Sequence, residues 1–167
     1  MEKKTTSAVT AGLITAATLI VLALLLYFTK QHGEKWGQYA GLTIYMVSIV
    51  IGISIHAKQT GHSASFGILF SYGFRMVAVV ISMMVLYTIA SVYLFPEVKS
   101  EFLEFNRAAA LKLQDKTPAQ IDEDIRMLSK NYMILIIMGQ LFYYMVLGAI
   151  AAVTGSIIAK KSAPQNQ

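Results

Sequence analysis

Cysteine is absent from this 167-residue chain, which excludes disulfides, thiolate metal sites and thiol nucleophiles in one step. Proline occurs only three times, at Pro96, Pro118 and Pro164, so long stretches contain no helix breaker. Acidic side chains are missing wherever the chain is apolar. Asp and Glu total nine, and all fall at the N-terminus or in two connecting segments. A proton or ion carrier normally places a carboxylate at membrane depth, and none is available here. Nor is there a nucleophile elbow, a phosphate loop or a His-Glu-x-x-His run. Catalytic, cofactor and metal sites are therefore not expected.

What the chain has instead is long hydrophobic runs; 56% of its residues are apolar or aromatic and 14% are charged. Four runs, over residues 8–29, 39–57, 76–95 and 132–159, approach or exceed the roughly 20 residues a helix needs to cross about 30 Å of hydrocarbon. Without water to satisfy backbone amides, such runs must be helical. The expectation is an all-α fold: an integral membrane four-helix bundle forming one domain over residues 1–167.

Charge orients it. With the N-terminus inside, the inner segments hold Lys3, Lys4, Lys58, Arg75, Lys160 and Lys161 against Glu2 alone, while eight bases and eight acids balance outside. Six of the outer bases lie in the long connection 96–131, much of which is beyond the reach of the positive-inside rule. The short flanks place both termini in the cytoplasm. Tyr27, Phe28, Trp36, Tyr39, Tyr93, Phe95 and Tyr132 then share the outer headgroup level, where amphipathic rings collect. The net charge of +5 accordingly reads as a topology determinant and a contact for anionic lipid, with no nucleic-acid partner. Bases ahead of the first run resemble a secretory signal. That run is too long for a signal core and lacks a small-x-small cleavage site, so it reads as an uncleaved signal anchor.

The first connection, 30–38, contains Gly33 and Gly37 and makes an antiparallel helix pair. In the second, Phe66, Leu69, Phe70, Gly73, Phe74 and Val77 recur at helical spacing beside Ser63, Ser65, Ser71 and Arg75. This predicts a short interfacial helix on the cytoplasmic surface that turns into the third span. The alternative is a third span beginning near Ser65, with Arg75 deeper in the membrane. In the third connection, Phe102, Phe105, Ala109 and Leu113 form one stripe. Thr117, Pro118 and Gln120 then supply an N-cap, a first-turn proline and a capping-box partner. Ile121, Ile125, Leu128 and Tyr132 follow on one face. An exterior helical hairpin between spans three and four results.

Small residues at every fourth position mark close helix packing: Ala8, Gly12 and Ala16 in span one, and, in span four, Gly148 with Ala152, and Ala151, Gly155 and Ala159. Arg75, Lys58 and His62 are the candidate contacts for an anion or lipid headgroup; snorkelling of Arg75 to phosphates is the plainer account. His32, His56 and His62 lack ligand spacing and read as surface histidines. Asp122, Glu123 and Asp124 read as a solvated first turn favoured by the helix dipole. Gln140 and Tyr144 form a polar face on span four. With Ser48, Ser54, Ser82, Ser91 and Thr154, they fit hydrogen bonds between helices.

The order of these features is similar to a known family. Gly61-His62-Ser63-Ala64-Ser65-Phe66-Gly67 leads to Phe70-x-x-Gly73 at the mouth of span three, and the hairpin's second helix begins Thr-Pro-Ala-Gln-Ile-Asp-Glu-Asp. Together they resemble the uncharacterised four-span membrane family known as domain-of-unknown-function family 4199, common in Bacteroidota. The resemblance covers nearly the whole chain and supplies no catalytic or binding residues. It implies a bacterial inner membrane, in some cases beside genes of lipid-linked glycosyl transfer. The function expected first is a non-enzymatic accessory or assembly subunit acting through helix packing and its hairpin. Its partners would be membrane lipids and either a second copy or another membrane protein. The alternative is a small transporter or lipid-binding protein with Arg75 as the anion contact; an enzyme acting on lipid or lipid-linked sugar comes third.

Overall fold

The computed structural model describes residues 5–31, 34–61, 63–113 and 115–161, and among these it contains six helices and no strand. They are α1 (Ala8–Phe28), α2 (Lys35–Gln59), α3 (Phe66–Leu94), α4 (Pro96–Leu113), α5 (Pro118–Lys130) and α6 (Tyr132–Lys161). Four of them, α1, α2, α3 and α6, are long and apolar enough to cross a membrane. This is a multi-pass membrane protein. Lys3, Lys4, His32, Gly33 and His62 lie outside the described residues.

Local chemistry sets the helix ends. Ser7 caps α1, its hydroxyl accepting from the Thr10 amide at 3.0 Å. At the other end the Lys30 amide bonds Tyr27 O and the Gln31 amide bonds Leu26 O, the paired bonds of a Schellman motif. Lys30 itself takes the left-handed conformation, φ 57°, where glycine is the usual occupant. Gly37, expected in this connection, instead belongs to α2. Gly61, φ 64°, ends α2 in the ordinary way. Pro96 cannot continue α3 and opens α4 at its first position.

The interfacial helix expected before span three is not a separate element. Residues 66–75 are the first turns of α3, continuous to Leu94. No proline interrupts them, and Ser65 caps the start by accepting from the Ile68 amide at 3.4 Å. At 1.5 Å per residue, α3 is roughly 44 Å long, against a hydrocarbon core of about 30 Å. Hydropathy marks the lipid-immersed part of a helix, and the helix outruns it.

Two compact units can be described, each on its own. The first comprises Met1–Met84 and Phe142–Gln167, a four-helix bundle of α1, α2, most of α3 and the latter part of α6. Its core holds Ala16, Tyr45, Ile49, Ile53, Met76, Val77, Val80, Ala152 and Ser156. Hydroxyls at membrane depth mostly bond their own helix. Thr15 donates to Ala11 O, Ser54 to Val50 O, Ser82 to Ala78 O and Ser156 to Ala152 O, at 2.7–3.0 Å. Bonds between helices were expected for Ser54 and Ser82. A carbonyl one turn back is always within reach and leaves no donor unsatisfied in lipid.

The second unit, Val85–Leu141, contains the α4–α5 hairpin. Thr117 caps α5 in a full capping box with Gln120, and Ile121 and Tyr132 are buried on the expected apolar face. The α4 stripe divides, however. Phe102 packs edge-on against Tyr132 at 5.4 Å, while Phe105 and Leu113 are each 73% exposed. A hairpin has only one inner side, and Phe102 faces it. Arg107 pairs with Asp122, and Lys116 with Asp124 at 2.6 Å. The hydrogen bond from Lys116 to Asp124 holds its ammonium above the ordinary lysine value. A raised lysine value contributes stability at neutral pH that disappears only as pH climbs through it. Thr117→Ala should weaken the hairpin by about 1 kcal/mol. Faster amide exchange confined to the first turn of α5 would register this, and unchanged exchange there would refute it.

Candidate functional site: a polar groove at one end of the bundle

The beginning of α1 and the end of α2 lie at the same end of the first unit, fastened by a reciprocal pair of bonds. The Thr6 amide donates to Gln59 Oε1 at 2.7 Å, and Gln59 Nε2 donates to Thr6 Oγ1 at 3.0 Å. The Tyr72 hydroxyl of α3 reaches Ser7 O at 3.5 Å. Tyr72 also stacks on His56 of α2, with ring centroids 4.1 Å apart and planes at 12°. One extended segment, residues 5–7, is thus held against two helices.

Between them opens a groove of about 550 Å³. Ser71 and Arg75 come to it from α3, Ser65 from the cap just ahead of that helix, His56 from α2 and Thr5 and Thr6 from the segment ahead of α1. Ile68, Ser71, Tyr72 and Arg75 follow the three- and four-residue spacing that aligns side chains on one helix face. Arg75 is exposed and forms no ion pair among the described residues. Among the described residues no carboxylate lines the groove. The end of α1 with unsatisfied amides also borders it, adding partial positive charge. A cation on a flexible stem and several hydroxyls, with no acid among the described lining residues, suit an anion with multiple acceptor oxygens.

The structure separates the sequence candidates. Arg75 lines the groove; Lys58 is exposed on the last turn of α2 and is not among the lining residues; His62 lies outside the described residues. His56, expected at the surface, is half-buried under Tyr72. Its Nδ1 is the buried side-chain nitrogen or oxygen without a hydrogen-bond partner among the described residues. Thr6 and Tyr72 were not anticipated. The spacing of Ser65, Ser71 and Arg75 was the available signal, whereas the approach of His56 and Thr6 depends on tertiary packing.

The small residues meet other helices of this chain. A Cβ added at Gly12 would fall 2.8 Å from Val79 Cβ, and one at Gly155 would fall 3.1 Å from Val50 Cα. Ala152 stands 3.1 Å from where a Gly73 Cβ would be, and Ala16 is fully buried. Ala8 is half-buried beside the polar groove. Gly148 faces the Tyr45 hydroxyl and Val77.

On α6, the Gln140 amide oxygen accepts from Thr88 Oγ1 at 2.9 Å. The carbonyl of Tyr144 accepts from the Tyr45 hydroxyl at 2.8 Å, and the two rings meet edge to face at 4.9 Å. Both groups serve helix–helix bonds, of order 0.6–1.7 kcal/mol each in a bilayer.

No group of three or more His, Cys, Asp or Glu side chains among the described residues is placed to hold a metal. No curated protein and no solved structure is detectably similar to the chain. A family model does match, over residues 10–161, and nearly all of the membrane region just described falls within it. The chain belongs to that family, described as Protein of unknown function (DUF4199).

Proposed function

We propose that this is a non-enzymatic protein of a bacterial inner membrane, with both termini cytoplasmic, that holds a phosphate-bearing lipid headgroup at the basic end of its bundle. The observation that carries the reading is the groove of Arg75, Ser65, Ser71 and His56, with no carboxylate among its described lining residues. Its level supports it: α1 begins and α2 ends there, so the groove sits where helices leave hydrocarbon and meet phosphate. Lys58, Lys160 and Lys161 end α2 and α6, and bases near span ends mark the cytoplasmic leaflet, which is rich in anionic lipid.

Two measurements test this. In detergent, phosphatidylglycerol should raise the melting temperature more than phosphatidylcholine does, and Arg75→Gln should remove the difference. Equal stabilisation by the two lipids in the native protein would eliminate the reading. A reporter fused after Gln167 should respond only to cytoplasmic reagents, and labelling from outside would reverse the orientation.

A second reading, a docking role for the hairpin, has one observation in its favour: Phe105 and Leu113 are both largely exposed on α4, the kind of side chain that anchors an interface. The small-residue faces lend it less, since those residues meet helices of the same chain. Copurification of a stoichiometric partner that is lost on Phe105→Ser would favour this role.

A further inference from the structure

The polar groove has a neighbour. A second opening, of about 330 Å³, runs between α1 and α2 and is lined by Ala11, Ile14, Thr18, Ile51, Ile55 and Met76 among others. Thr6 and Tyr72 line both openings, so the charged groove and the apolar one adjoin across these two side chains. Thr15 and Thr18 also border the apolar part, but their hydroxyls are spent on Ala11 O and Ile14 O. What those threonines leave for an occupant is chiefly methyl surface. Along α1 the apolar lining extends from Ala11 to Thr18, roughly 10 Å, most of the depth of one leaflet, which is half of about 30 Å. Gly52 keeps this wall close-packed, since a Cβ there would fall 2.9 Å from Met76 Sδ.

Resting on the headgroup reading, we infer that the occupant is an intact anionic phospholipid, phosphate at Arg75 and one acyl chain seated between α1 and α2. Charge complementarity selects the head, and the apolar opening adjoining the charged groove selects the tail. A soluble phosphate ester satisfies only the first, and an uncharged lipid only the second. The protein therefore discriminates a whole amphiphile from either half.

The test uses the full chain purified in detergent, with binding read by native mass spectrometry. Three probes are compared: dimyristoyl phosphatidylglycerol, dimyristoyl phosphatidylcholine and glycerol 3-phosphate. One retained phosphatidylglycerol per chain is expected, with about fivefold weaker phosphatidylcholine binding, the worth of one basic contact. Glycerol 3-phosphate should not be retained. Arg75→Gln should bring the two lipids to parity. Thr18→Phe fills the apolar opening from an exposed wall position and should weaken both lipids while keeping their ratio. If glycerol 3-phosphate binds as tightly as the lipid, or if Thr18→Phe changes nothing, the chain seat is wrong though the headgroup site survives. If the two lipids bind the native protein equally, the headgroup site fails as well. A circular dichroism spectrum matching the native protein shows whether a variant that loses binding is still folded.

Discussion

Gly148→Ala should destabilise the protein by about 1–3 kcal/mol, while Gly139→Ala, nine positions earlier on the same helix, should stabilise it by about 0.5–1 kcal/mol. Intrinsic propensity favours alanine at both sites, so the opposite signs come from surroundings. At Gly139 an added Cβ meets nothing within 4 Å. At Gly148 it would fall 2.7 Å from both Val77 methyls and collide with the Tyr45 hydroxyl. The helix explains why that hydroxyl is there. The carbonyl of Tyr144 points along α6 toward the residue four positions on, which is Gly148. The Tyr45 phenol reaches this carbonyl at 2.8 Å across a surface that has no side chain. An alanine obstructs the approach and strands a phenol in hydrocarbon, where an unmade hydrogen bond is costly. Reversible unfolding in dodecyl sulfate mixed micelles, followed by circular dichroism, measures both variants. Two changes of the same sign would refute the account.

Ile53→Ala should cost about 1–2 kcal/mol, well below the 2–5 kcal/mol typical of a water-soluble core. Ile53 is fully buried and wedges between α3 and α6: its Cδ1 lies 2.6 Å from a Cβ built on Gly73 and 3.0 Å from one on Gly155. In water, the truncation would forfeit both the transfer of its methyl groups, roughly 0.8 kcal/mol per carbon, and the contacts around the cavity. In a bilayer the unfolded reference is itself hydrocarbon, so the first contribution vanishes and only dispersion remains. Ile55→Ala, at an exposed position two residues away, should be near neutral in the same assay. A loss at Ile53 of the full aqueous size would mean that this site is solvated by water in the unfolded state. No loss would mean that the wedge is idle.

How much was readable in advance followed the range of the interactions involved. The capping box at Thr117 and Gln120 involves four consecutive residues, and the span count follows from hydropathy over some 20; both are local and both were legible. Of the two readings of residues 66–75, the long third span beginning near Ser65 is the one the structure takes; the interfacial helix was preferred because lipid immersion and helix extent are different quantities. The α4 stripe was read as one face, but Phe102 and Phe105 diverge once α5 supplies a single inner side. Tyr45 and Tyr144 lie 99 positions apart, and no spacing rule links them. Of the groove, Arg75 was identified as a basic residue at the mouth of span three. His56 and Thr6 join it through folding, so no pattern along the chain announced them.

Because the serines and threonines of the spans bond mostly within their own helices, each segment enters the bilayer already self-sufficient. Biogenesis can then proceed largely one helix at a time, with the hydroxyls of Tyr45 and Thr88 left to meet their α6 acceptors when that helix arrives. Lateral assembly is left mostly to shape, with the Tyr45–Tyr144 and Thr88–Gln140 bonds among its few polar fasteners, so it should be slow to specify but easy to reverse. A bundle closed in that way can part between α1 and α2 without breaking a polar bond along Ala11–Thr18, which is where an acyl chain would have to slip in from the side.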